Sequence, residues 1–204
     1  MGKVEADKLT EILTNFHKGV VIEVTQKRHR APTRYKRFEP YKIRVFFESY
    51  DPTARNILQI AAEILSGLLR AHPFPNANHR TMLVATSAFF KANGLRFPHY
   101  ERAIPRWRRR YVADCNQFIL ESKYWLKLRR YRDKLGKGAR VLQVTKTRKH
   151  VIKAGDLDLN KGQMAEKHLA MTKEWLTELL GDQSDKYRRV SPEALTRLIA
   201  QAES

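Results

Sequence analysis

The stretch HPFPNANHR, residues 72–80, sets His72, Asn76, Asn78, His79 and Arg80 between two strongly apolar segments. An imidazole titrating near neutral pH is suited to take a proton from a hydroxyl as that hydroxyl attacks phosphorus. The helix expected from about residue 78 offers backbone N–H groups and a positive dipole end, where a phosphate sits with little reorganisation. Arg80, in the first turn, can grip phosphate oxygens bidentately. The dipole disfavours a lone cation there, so a phosphate partner accounts for the arginine better than chance placement does. Asn78 has two compatible readings, a cap of the turn or a group that orients an oxygen. With His72 at the end of the preceding helix, facing the same hollow, the residues make a phosphotransfer layout.

Two apolar helices must hold this loop. Asp51-Pro52 is a helix start by type, a capping oxygen followed by a residue with preset φ. Ile57, Leu58, Ile60, Ala61, Ile64, Leu65, Leu68 and Leu69 then predict a helix that is buried nearly all round. After the loop, Met82, Leu83, Ala85, Ala88, Phe89 and Phe90 predict a second helix over about 78–93, ended by Asn93-Gly94. Upstream, Val4, Leu9, Ile12, Leu13 and Phe16 have helical spacing, with Gly19 as a stop. VVIEV at 20–24 and YKIRVFF at 41–47 read as strands, so KRHRAPTRYKRFEP between them becomes a hairpin-like excursion with a basic, exposed tip. Downstream, a helix is expected over 101–135 and a boundary at the GKGAR turn, 136–140. A small hairpin from VLQVT and HVIK and helices over about 162–180 and from Ser191 complete the chain. The fold class expected is mainly α, with a small β-hairpin before the central helices. Residues 1–135 form the first domain and 136–204 an extension.

HPFPNANHRT resembles the signature of the Fic/Doc (Fido) family, H-x-F-x-(D/E)-(G/A)-N-(G/K)-R between two helices of an all-α core. His72, Phe74, Ala77, Asn78 and Arg80 match in register, and the likeness covers about residues 51–98. The family transfers AMP, or in the Doc branch a phosphoryl group, from a nucleoside triphosphate such as ATP to a hydroxyl side chain of a target protein. The resemblance implies His72 as general base and Phe74 as the anchor that buries the loop. It makes Asn76, Ala77, Asn78 and His79 the anion hole and Arg80 the clamp on the remaining phosphates, a form of charge stabilisation that commonly dominates such catalysis. It also implies a flap over residues 20–47, which would align a target strand, and an antitoxin partner. Asn76 stands where the family places an acid for Mg²⁺, and a neutral amide is the weaker ligand for a hard dication. His79 stands where the AMP-transferring branch has Gly and the Doc branch Lys; its bulk, with Ala77 and Thr81, places the chain nearer Doc. No inhibitory S/T-x-x-x-E-(G/N) pattern occurs. As a plain sequence position His79 reads as a solvent-facing first-turn residue. His72 and His79 are not read as a metal pair, since no third ligand has recognisable spacing.

The chain has 204 residues, 42% of them hydrophobic, which supports a packed core. Forty Lys and Arg against 21 Asp and Glu leave a formal charge of +19, a field that attracts polyanions. KRHRAPTRYKR, PRWRRRY and KLRRYR mix arginine with aromatic rings in the manner of nucleic-acid surfaces. A second reading follows, a Fido fold whose catalysis has lapsed and which binds nucleic acid or the ribosome through that surface. Cys115 is the single cysteine, so no disulfide forms within the chain, and no zinc spacing occurs. With no apolar run of membrane length and no secretory signal, a cytoplasmic protein is expected.

Overall fold

A computed structural model gives the fold; it describes residues 2–95, 105–135, 138–181 and 183–204, and of residues 105–112 only the backbone. Along the chain come α1 (Lys3–Arg28), α2 (Tyr41–Glu48), α3 (Ile57–Ala71), α4 (Asn78–Ala92), α5 (Pro105–Tyr131), β1 (Val141–Gln143), β2 (Lys149–Val151), α6 (Lys161–Leu180), α7 (Ser184–Tyr187) and α8 (Ala194–Glu203). The protein is mainly helical. Among the described residues its one sheet is the antiparallel pair β1–β2, with Leu142 opposite His150.

The expected strands at 20–24 and 41–47 are helical, so no hairpin precedes the central helices. In α1 the buried positions Leu9, Leu13, His17, Val20 and Val24 fall every third or fourth residue, while Ile22 stays exposed. Burial of that continuous stripe outweighs the β-propensity of VVIEV, and Gly19 stands inside the helix rather than ending it. In α2, Ile43 and Phe47 are buried one turn apart while Tyr41 and Val45 are exposed. Alternation on a strand would have put Tyr41, Ile43, Val45 and Phe47 on one face. The chain between these helices is extended and irregular.

The start of α3 also differs from expectation. Asn56, not Asp51, caps it: Gln59 N–H donates to Asn56 Oδ1 at 2.8 Å and Asn56 N–H to Gln59 Oε1 at 3.0 Å. Asp51 instead takes the Thr53 amide at 3.0 Å. Gly67 lets α2 approach α3, because a β-carbon there would lie 2.3 Å from the Phe46 ring. The end of α4 is as expected, with Gly94 at φ +70.

The chain forms two compact units that do not divide at residues 136–140. One comprises 1–97 and 180–204, the other 98–179. The C-terminal segment returns to the first unit through definite bonds. Ser191 N–H donates to Arg55 O at 3.0 Å, Asn93 Nδ2 to Ala194 O at 3.1 Å, and Arg197 Nη1 to Asn93 Oδ1 at 3.0 Å. In the second unit Tyr124, Leu128, Leu142, Val144, Ile152 and Met164 form one core cluster joining α5, the hairpin and α6. Phe118 stacks on Trp175 with ring centroids 4.2 Å apart, and Ser122 Oγ pairs with His168 Nε2 at 2.8 Å. The candidate loop lies wholly in the first unit.

Candidate phosphotransfer loop

The loop joins α3 to α4 through two left-handed residues. His72 ends α3 at φ 52, ψ 58, with its N–H on Leu68 O at 2.9 Å, and Ala77 opens α4 at φ 51, ψ 19. For an L-residue this conformation costs about 1–2 kcal/mol, so surrounding contacts must hold it. Asn78 ties the loop between the two to itself. Its Oδ1 accepts the Phe74 N–H at 3.0 Å, and its Nδ2 donates to Phe74 O at 2.9 Å and Asn76 O at 3.4 Å. Asn78 therefore does not cap the helix as the sequence suggested; Ala77 holds that position and the asparagine staples the loop. Phe74 is fully buried, stacked against His17 (centroids 4.6 Å) and Phe38 (5.6 Å). His17 Nδ1 in turn pairs with Thr81 Oγ1 in the first turn of α4 at 3.1 Å. Burial, then the Arg34 charge, lowers the His17 pKa below the usual imidazole value.

Residues 32–39 lie along this loop as a strap. Tyr35 N–H donates to Pro75 O at 3.2 Å and Glu39 N–H to Pro73 O at 2.9 Å. Asn76 Nδ2 reaches Pro32 O at 3.1 Å, and Lys36 Nζ donates to His72 O and to the Glu39 carboxylate. Hydrogen bonds from Lys36 and then Lys42 hold the Glu39 pKa down to about 2. Tyr35 is 61% exposed, yet its hydroxyl meets the loop: Oη lies 3.5 Å from His72 Nε2, and Asn78 Nδ2 reaches it at 3.4 Å.

Of the expected site residues, His72, Asn76, Ala77 and Asn78 gather around the stapled loop. Arg80 is exposed in the first turn of α4. His79, expected to face solvent, is buried. One helix turn places it on the side of Met82, whose burial it shares. Tyr35, His17, Lys36 and Glu39 escaped the sequence reading. Tyr35, Lys36 and Glu39 lie in a segment with no period, where the signal was the pair of carbonyls at Pro73 and Pro75, which need donors from somewhere, whereas His17 belongs to the buried stripe of α1.

Asn76 is 4% exposed, and its Oδ1 is one of two buried side-chain polar atoms without a partner among the described residues. That orphaned oxygen sits where the Fic/Doc pattern has its metal carboxylate. One neutral oxygen does not make a protein cage for Mg²⁺, which wants octahedral oxygens and charge. No cluster of three or more His, Cys, Asp or Glu fit to hold a metal occurs among the described residues. The groups the loop presents are the His72 imidazole, the Asn78 amide and the amino end of α4.

No curated protein and no solved structure matches the chain. The model of a family of unknown function, DUF8172, matches residues 3–197, and the chain belongs to that family.

Proposed function

We propose that this DUF8172 protein is a Fic/Doc-like transferase, moving AMP or a phosphoryl group from a nucleoside triphosphate to a hydroxyl side chain of a protein target. The observation that carries the reading is the stapled loop: two left-handed residues, His72 and Ala77, bound it, and Asn78 bonds both backbone groups of Phe74 between them, with His72 at the end of one helix and Ala77 at the start of the next. Backbone strain locked in this way is characteristic of sites that preorganise chemistry. His72 takes the proton of the attacking hydroxyl, the amino end of α4 receives phosphate charge, and exposed Arg80 reaches the outer phosphates. An antitoxin that restrains the enzyme is part of the same proposal.

The test is direct. Purified protein, given nucleoside triphosphates labelled at the α or the γ phosphate together with cell lysate, labels a protein band, and His72→Ala loses the label. Labelling that survives His72→Ala, or none with any nucleotide, defeats the reading.

A second reading has its own observation. Arg28, Arg30, Arg34 and Arg37 are exposed on and next to the strap, interleaved with the exposed rings of Tyr35 and Phe38. Such a surface holds RNA by phosphate contacts and stacking. Affinity for RNA that falls steeply with salt and survives His72→Ala supports it; absent or salt-independent binding removes it.

A further inference from the structure

The structure assigns Tyr35 as a hydroxyl acceptor built into the chain: we infer that the protein modifies itself there. The inference rests on the transferase reading above and goes beyond it in naming the residue modified. Among the described residues Tyr35 Oη stands where an acceptor must stand, 3.5 Å from His72 Nε2 and 3.4 Å from Asn78 Nδ2. The first distance is long for a hydrogen bond, as catalytic contacts often are before substrate binds.

Chance does not put the hydroxyl there. The strap is fixed on both sides of Tyr35, by Asn76 Nδ2 on Pro32 O at 3.1 Å before it and by Glu39 N–H on Pro73 O at 2.9 Å after it. Tyr35's own N–H is bound to Pro75 O at 3.2 Å. The tyrosine backbone is thus laid along the loop, and the ring carries its oxygen to the His72 imidazole. A serine or threonine at this position would stop short of His72, since the ring supplies the reach.

The step balances as follows. The Tyr35 Oη–H bond breaks and its proton passes to the unprotonated His72 Nε2. Oη bonds to the α or γ phosphorus of a nucleoside triphosphate, and the bond from that phosphorus to its bridging oxygen breaks. Pyrophosphate leaves in the first case, a nucleoside diphosphate in the second.

The experiment uses the full chain alone, incubated with ATP and, separately, GTP, CTP and UTP with Mg²⁺, and read by intact mass and peptide mass spectrometry. One added group on Tyr35 is expected, its mass telling AMP from phosphate. Tyr35→Phe and His72→Ala lose it. Tyr41→Phe keeps it; Tyr41 is an equally exposed tyrosine whose hydroxyl bonds Glu39, not His72. The fraction modified with time does not change on dilution, because donor and acceptor share one chain. Melting curves of Tyr35→Phe matching the wild type exclude misfolding as the reason for loss. Modification at another residue, or a rate per chain that rises with concentration, overturns the inference. So does an unmodified chain in a preparation that labels lysate protein through His72, and in that case the transferase reading stands. If neither the chain nor any lysate protein is labelled, both fall.

Discussion

Two helices of this protein end on a histidine in the left-handed conformation: α1 at His29, φ 51, and α3 at His72, φ 52. Proline follows each, at Pro32 and at Pro73, with arginine nearby. Yet the segment after His72 is folded around a buried ring, whereas the one after His29 runs exposed over the surface. The difference comes from Phe74 and Asn78, an apolar anchor and an amide that bonds both backbone groups of the anchor. The strap after His29 has no counterpart. Its Tyr35 remains exposed, its Phe38 is 37% exposed and stacks on Phe74, and it takes its shape by leaning on that ring and on the loop's carbonyls. A left-handed helix end is therefore permissive; what the chain buries next decides whether a rigid site or a strap results.

The strongest way to break this contrast is to remove the staple. Asn78→Ala leaves the Phe74 N–H and C=O buried without their partner, at a cost of about 1–3 kcal/mol in stability. A lowered melting temperature is expected, with loss of any labelling activity. Removing a strap contact by Lys36→Ala lowers the melting temperature much less. Equal effects of the two substitutions in thermal melts would show that loop and strap are one unit.

A smaller effect comes from His17, which props Phe74 from behind. Its pKa is lowered in the fold, by burial first and then by Arg34, so the unfolded chain binds the proton more readily. Stability from this residue is complete at neutral pH and declines as pH falls through the ordinary imidazole value of about 6.5. Melting temperatures measured between pH 8 and pH 5 should fall on the acid side, and His17→Phe should flatten that part of the profile. A profile unchanged by the substitution rules out His17 as the group responsible.

Much of this was legible from residue types, and the reasons are physical. The loop's limits, α3 and α4, follow from dense apolar spacing on both sides, and Gly94 marks the end of α4 because a positive φ there suits glycine. The later hairpin and α6 were equally legible. Residues 20–24 and 41–47 are helical although their β-branched and aromatic residues favour strands locally. The helical stripe that carries Val20 and Val24 becomes visible only when joined to Leu13 and His17. Nothing local announces that residues 180–204 return to Arg55 and Asn93, so the two compact units are not visible from the GKGAR turn. Within the site, the loop's own residues could be chosen by chemistry. Tyr35 could not, since its place depends on backbone bonds between segments some forty residues apart, which leave no periodic trace.

The finest test separates the two segments amide by amide. Phe74 N–H is buried against Asn78 Oδ1 at 3.0 Å, so its hydrogen exchange requires the core to open. Tyr35 N–H and Glu39 N–H are also bonded, to Pro75 O and Pro73 O, but their segment is held from outside by ion pairs of Glu39 with Lys36 and Lys42. Salt screens such pairs. Exchange at Tyr35 and Glu39 should be faster than at Phe74 and should quicken further as salt is raised, with Phe74 unaffected. The strap would then be the element that lifts to admit a target while the loop beneath it stays set. Were Phe74 and Tyr35 to exchange together at every salt concentration, the strap would open only with the core, and a target could reach His72 only by another side.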